Sequence, residues 1–147
     1  MKRAKANTQI EFTVLGHATP QGSVRGYLAK GKVRVTSDNA KMKPWRQQIG
    51  WTALNARAKA GYSEIFAPKH VPVKANFQFY LAPPQKMPKG RTRPAVKPDL
   101  DKLCRSTFDA LSGILWLDDA QVVDLTATKS YDLPERAVIT VEAITGE

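Results

Sequence analysis

Residues 97–124 read KPDLDKLCRSTFDALSGILWLDDAQVVD. Leu100, Leu103, Cys104, Thr107, Phe108 and Leu111 recur at i, i+3, i+4, i+7, i+8 and i+11, the stripe of an amphipathic helix that buries one face. Asp99 follows a proline and suits the N-cap, and Gly113 suits the position just past the helix end. After it, 114–117 (ILWL) and 121–129 (QVVDLTATK) read as strands. A strand, a helix and a returning strand imply a sheet with helices laid on it. The same stretch holds six aspartates, Asp99, Asp101, Asp109, Asp118, Asp119 and Asp124, in a chain of formal net charge +10.

Upstream, residues 82–98 hold five prolines, one glycine, five basic residues and no acid. Such a segment is neither helix nor central strand, and an exposed, mobile, positive loop is expected. Before it, 71–81 (VPVKANFQFYL) alternates as a strand, with Val71, Val73, Ala75, Phe77 and Phe79 on one face. Trp45, Ile49, Thr52, Ala53 and Ala56 mark a helix over about 44–60, with Pro44 in its first turn and Gly61 as its stop. Ser37, Asp38 or Asn39 is the expected cap. Residues 9–15 and 32–36 read as strands, and 22–32 as a basic loop around Tyr27 carrying Arg25. Residues 137–144 (AVITVEAI) form the last strand. The expected fold is α+β (mixed α/β): one small domain over 1–147, a mixed sheet packed by two helices, in the order β-β-α-β-α-β-β.

The charge is unevenly placed. Residues 1–98 carry 19 Lys and Arg against three acids, whereas 99–147 carry four against ten. A pI near 9.9 with the cations gathered in one part points to a polyanionic partner such as nucleic acid. No apolar run is long enough to span a bilayer, and no apolar core follows the positive start as in a secretory signal. Cys104 is the one cysteine, which excludes an internal disulfide and a thiolate-rich zinc site. A cytoplasmic protein with no membrane partner is expected. No phosphate-loop or dinucleotide-binding glycine pattern is present. His17 and His70 stand alone and read as structural or solvated, and Cys104 falls on the buried stripe.

The aspartates admit two readings. Acids at a helix start are favoured by the helix dipole, so Asp99 and Asp101 can be simple end charges. Alternatively they hold a divalent cation together with Asp118 or Asp119, carried back toward the helix by the returning chain. Clustered carboxylates repel unless a cation relieves them, and Mg²⁺ prefers such oxygens. The five-cation loop running into Asp99 then binds the phosphates that the cation activates.

KPDLDKLCRSTFDALSGILWLDDAQVVDL, residues 97–125, resembles the signature of the RusA family of Holliday junction resolvases. The family pattern has Lys-Pro-Asp-x-Asp-Asn at a helix start, a lysine four residues after the second aspartate, Asp-Ala-Leu near the helix end, and Asp-Asp-Ala-Gln-Val at a strand entry. TPQGSVRGY and KPWRQQI resemble the family's N-terminal region more loosely. The resemblance implies a small homodimeric endonuclease, dependent on Mg²⁺ (with Mn²⁺ as a substitute), that cuts four-way DNA junctions by paired nicks in recombination and repair. It places the catalytic, metal-holding aspartates at Asp99, Asp101 and Asp119, the last preferred over Asp118 because it directly precedes Ala-Gln. The family's catalytic lysine falls on Arg105 and its asparagine on Lys102, two departures. Lys102 and Lys129 are further candidates for the missing cation. Lys86, Lys89, Arg91, Arg93 and Lys97 of the loop, with Arg25 and Lys102, are the expected DNA contacts. Asp109 and Asp124 are expected to be surface charge. A less selective branched-DNA or flap endonuclease, and a DNA-binding protein with a weakened catalytic site, are the alternatives.

Overall fold

The computed structural model of the chain describes residues 8–20, 24–29, 32–37 and 42–145. A four-stranded sheet is built from β1 (Gln9–Leu15), β4 (Val73–Leu81), β5 (Val122–Tyr131) and β6 (Arg136–Ala143) in the order β1-β6-β4-β5. β6 runs antiparallel to both β1 and β4, and β4 and β5 run parallel. The alternation of the sequence decides the faces. Val73, Ala75, Phe77, Phe79 and Leu81 of β4 point into the core, and β1 and β6 keep the same period. Lys74, Asn76, Gln78 and Tyr80 lie on the opposite, polar face.

α1 (Met42–Lys59) and α2 (Leu100–Leu111) cover the apolar face. Trp45, Ile49 and Ala53 are buried at successive turns of α1. The stripe of α2 is buried as its spacing demands: Leu103, Cys104, Thr107 and Leu111 are enclosed, and Leu100 and Phe108 pack against the core. Phe79, Phe77, Phe108 and Trp116 form a chain of edge-to-face rings, with centroids 6.2, 5.6 and 5.7 Å apart. Such pairs add about 0.5–1.5 kcal/mol each beyond their buried area. The α+β class, the mixed sheet and the two helices are as the sequence reading expects.

Two local expectations differ, and a third is tested only in part. Within residues 22–32, read as loop, Val24–Ala29 forms β2, which pairs antiparallel with β3 (Lys32–Ser37) as a separate two-stranded sheet. Strand formation there depends on the partner strand, which a basic, glycine-containing segment does not advertise. Ser37 ends β3 rather than capping α1, and Asp38 and Asn39 lie outside the described residues. Residues 114–117 make a turn with isolated bridges from Trp116 to Ala67 and Ser112 instead of a strand. The short apolar run places Leu115 and Trp116 in the core with no exposed surface, and periodicity cannot separate that use from a buried strand.

Gly50, an unfavourable residue inside α1, lies where α1 meets α2. A Cβ built there would stand 3.4 Å from Ile114 Cδ1 and 3.9 Å from the Ala110 carbonyl oxygen. Gly50→Ala is therefore expected to hold or raise stability, by up to about 1 kcal/mol of helix propensity. Gly50→Ile is expected to lower it by about 1–3 kcal/mol through overpacking. Urea unfolding midpoints check both.

Candidate active site

Asp99 occupies the N-cap of α2 with extended backbone, φ −70° and ψ 131°, yet its carboxylate makes no capping hydrogen bond. Its nearest partner is Lys102 Nζ at 3.9 Å, a loose, half-exposed contact. Asp101, one residue into the first turn, is exposed and has no hydrogen bond or ion pair among the described residues. Both carboxylates are thus free of structural duty, and the expected capping role of Asp99 is not performed by its side chain. The positive end of the helix dipole offsets part of their repulsion. Arg105 lies four residues on from Asp101, one turn along α2, exposed and without a partner among the described residues.

Residues 82–98 are irregular throughout, as their prolines require. Lys86, Lys89, Arg93 and Lys97 are exposed, and Arg91 is half-buried. None of the five forms an ion pair with a described residue. Arg91 and Lys97, with His17, Tyr131 and Glu135, line a groove of about 220 Å³ between the loop and the ends of β4 and β5. His17 Nδ1 lies 2.6 Å from Glu135 Oε2, and the Ala82 amide donates to Glu135 Oε1 at 3.3 Å. His17 is thereby structural, as a lone histidine usually is. His70 is exposed in the turn before β4 at φ 70°. Arg25 falls on β2 opposite Thr36.

The second acidic group has a different construction. Asp118 caps the 3-10 turn Asp119–Gln121, its Oδ1 accepting from the Ala120 amide at 2.9 Å. Gln121 completes the box: its Oε1 accepts from the Leu117 and Asp118 amides at 2.9 and 3.0 Å. Gln121 Nε2 donates to the carbonyls of Ala67, Pro68 and Val71. Asp118, the less preferred of the two aspartates, thus has its side chain taken up by the turn. The signal was present in the sequence, since Asp-x-x-Gln is a capping box. Asp119 is aimed by the indole of Trp116, whose Nε1 donates to Asp119 Oδ1 at 2.9 Å.

The two acidic groups lie toward opposite ends of α2. A helix of 12 residues is roughly 18 Å long at 1.5 Å per residue. Asp99 and Asp101 sit at its start, whereas Asp119 follows its end, just before β5. Among the described residues, no three His, Cys, Asp or Glu side chains form a group that could hold a metal ion. The structure therefore gathers Asp99, Asp101, Lys102 and Arg105 in one chain and leaves Asp119 apart from them. Asp109 pairs with Arg46 of α1 at 3.6 Å, and Asp124 is exposed on β5. Cys104 is buried, which pushes its thiol up to about 11, with the charge of Asp101 adding to the shift. It stays protonated at neutral pH and is no nucleophile.

A profile match over residues 17–142 places the chain among the endodeoxyribonucleases. The family is RusA, whose members act on Holliday junctions, and the chain belongs to it. It is also 31% identical over 138 residues to the uncharacterized protein YqaN of Bacillus subtilis strain 168, covering 92% of this chain and 96% of that one. Among the described residues, no helix is long and apolar enough to cross a membrane.

Gln121 satisfies five backbone groups at the turn that presents Asp119. Gln121→Leu leaves four of them unpaired in a mostly buried site, the Pro68 carbonyl keeping the Val71 amide, and is expected to cost about 3 kcal/mol or more. Chemical denaturation measures the loss.

Proposed function

We propose that the protein is a divalent-cation-dependent endonuclease that resolves four-way DNA junctions by paired, symmetric nicks as a homodimer, in recombination and repair. The observation that carries this reading is the pair of carboxylates without a hydrogen bond, Asp99 and Asp101, at the end of a loop with five cations and no acid. Carboxylate oxygens are the donors that Mg²⁺ and Mn²⁺ accept, and the side chain of Asp99 is not taken up by its helix. When bound, the cation supplies Lewis-acid activation of the scissile phosphate and of water.

The chain's own residues then divide the work. Lys86, Lys89, Arg91, Arg93 and Lys97, with Arg25, hold the phosphates of the junction arms. Arg105 and Lys102 bring positive charge beside Asp99 and Asp101. A guanidinium does not release its proton near neutral pH. Arg105 therefore balances charge on the phosphate rather than protonating the leaving oxygen. Asp119 is the third carboxylate of the set, and in one chain α2 separates it from the other two. A two-fold dimer makes every contact twice, so a second copy can bring its Asp119 to the Asp99–Asp101 pair. The dimer would thus supply both symmetric cuts and the completed acid set.

Asp101→Asn and Asp119→Asn homodimers are each expected to bind a synthetic four-way junction without nicking it in Mg²⁺. Mixed and re-annealed, the two variants form heterodimers in which one site keeps all three carboxylates, and nicking on one strand should return. No recovery in verified heterodimers would place all three carboxylates within each chain. Parallel assays on a flap and a linear duplex separate a junction resolvase from a less selective nuclease. Binding without cutting in either Mg²⁺ or Mn²⁺ would mark a weakened site.

Replacing Arg91, Arg93 and Lys97 by glutamine is expected to reduce the slope of log affinity against log salt by up to about 0.9 for each phosphate that the loop no longer neutralises. An unchanged slope would remove the loop from the interface.

A further inference from the structure

Lys129 stands near the far end of β5, opposite Phe79 of β4. Its half-buried ammonium reaches back to the loop and donates to the carbonyls of Val96 at 2.8 Å and Pro98 at 2.9 Å. Pro98 is the residue before Asp99. The backbone there has few other ties. Pro94 and Pro98 lack an N–H, and the Ala95 amide bonds only locally, to Arg93 O at 2.8 Å. Asp99 O accepts from the Lys102 and Leu103 amides, both at 3.1 Å, which joins it to its own helix but not to the sheet. Among the described residues, the two bonds of Lys129 are the only hydrogen bonds that fasten segment 95–99 to the sheet.

We propose that Lys129 is a positioning residue: by holding the Val96 and Pro98 carbonyls against β5, it fixes where Asp99 stands at the start of α2. This rests on the reading of Asp99 as a cation-holding residue. The charge suits the task, because an ammonium carries three donors and bonds from charged donors are the stronger ones. With two donors engaged by the loop, Lys129 is committed to the protein rather than free for phosphate. It therefore differs in role from Arg105 and from the exposed loop cations.

The test uses the full-length protein with Lys129→Met, which keeps the apolar stem and removes the donors, and Lys129→Arg, which restores them. Amide hydrogen exchange and junction-nicking kinetics are measured on both. In Lys129→Met, exchange over residues 95–103 should quicken while the β4–β6 core stays protected. Its kcat should fall between about ten- and a hundredfold, the scale expected for a displaced reacting group, with KM and the salt slope unchanged. Lys129→Arg should recover most of both properties. Unchanged exchange over 95–103 in Lys129→Met would overturn the proposal. So would an intact kcat with a raised KM and a salt slope reduced by about one, the mark of a phosphate contact. If the unaltered protein nicks no junction, the nuclease reading fails, and the exchange measurement still decides whether Lys129 holds the loop. Should Lys129→Met not fold, Lys129→Gln, with donors on a shorter arm, should show the same local exchange to a lesser degree.

Discussion

The parallel pairing of β4 with β5 governs the arrangement of this protein. Two adjacent parallel strands cannot be joined by a tight turn, so the chain must travel the length of the sheet before the second strand begins. Here the connection is the proline-rich loop, α2 and the turn around Trp116. That path puts the start of α2 beside the far ends of β4 and β5, and the Asp118–Asp119 turn beside their beginnings. The aromatic chain from Phe79 to Trp116 fills the space between helix and sheet along the same line. The separation of the two acidic groups is a direct result of this crossover.

The elements that were legible in the sequence are those whose pattern is local. The stripe of α2 and the alternation of β4 identify a buried face from one strand or helix alone. The Asp-Asp-Ala-Gln run was legible as a signature, but its inner division of labour needed the contacts. Asp118 is taken up by the turn, Gln121 by five backbone groups, and only Asp119 is turned toward a buried indole. β2 was not legible, because its strand character comes from pairing with β3. Nor was the reach of Lys129, whose partners lie 33 and 31 positions away in the chain. The distance between Asp101 and Asp119 was hidden for the opposite reason. A dozen residues of helix carry two nearby sequence positions far apart in space.

Charge follows the same geometry. The cations of residues 82–98 find no acidic partners within the described fold, so their field is available to a polyanion. The acids after residue 98 are largely engaged or outward-facing. Asp109 pairs with Arg46 and Asp132 with Arg136, and Glu135 holds His17 and the Ala82 amide. Asp99 and Asp101 stand out as acids placed at the end of the cationic loop with little to neutralise them. The contrast sets a small acidic spot against a surface that otherwise attracts polyanions.

The bond between Trp116 and Asp119 also makes the protein its own optical probe. The indole is fully buried and donates to a single carboxylate oxygen, which couples its surroundings to that side chain. Trp45 is buried elsewhere, on the inner face of α1, and Trp51 is 70% exposed. An aqueous quencher therefore silences Trp51 and leaves the inner two. In that remaining light, a change in the surroundings of Asp119 can be followed without a label and without turnover.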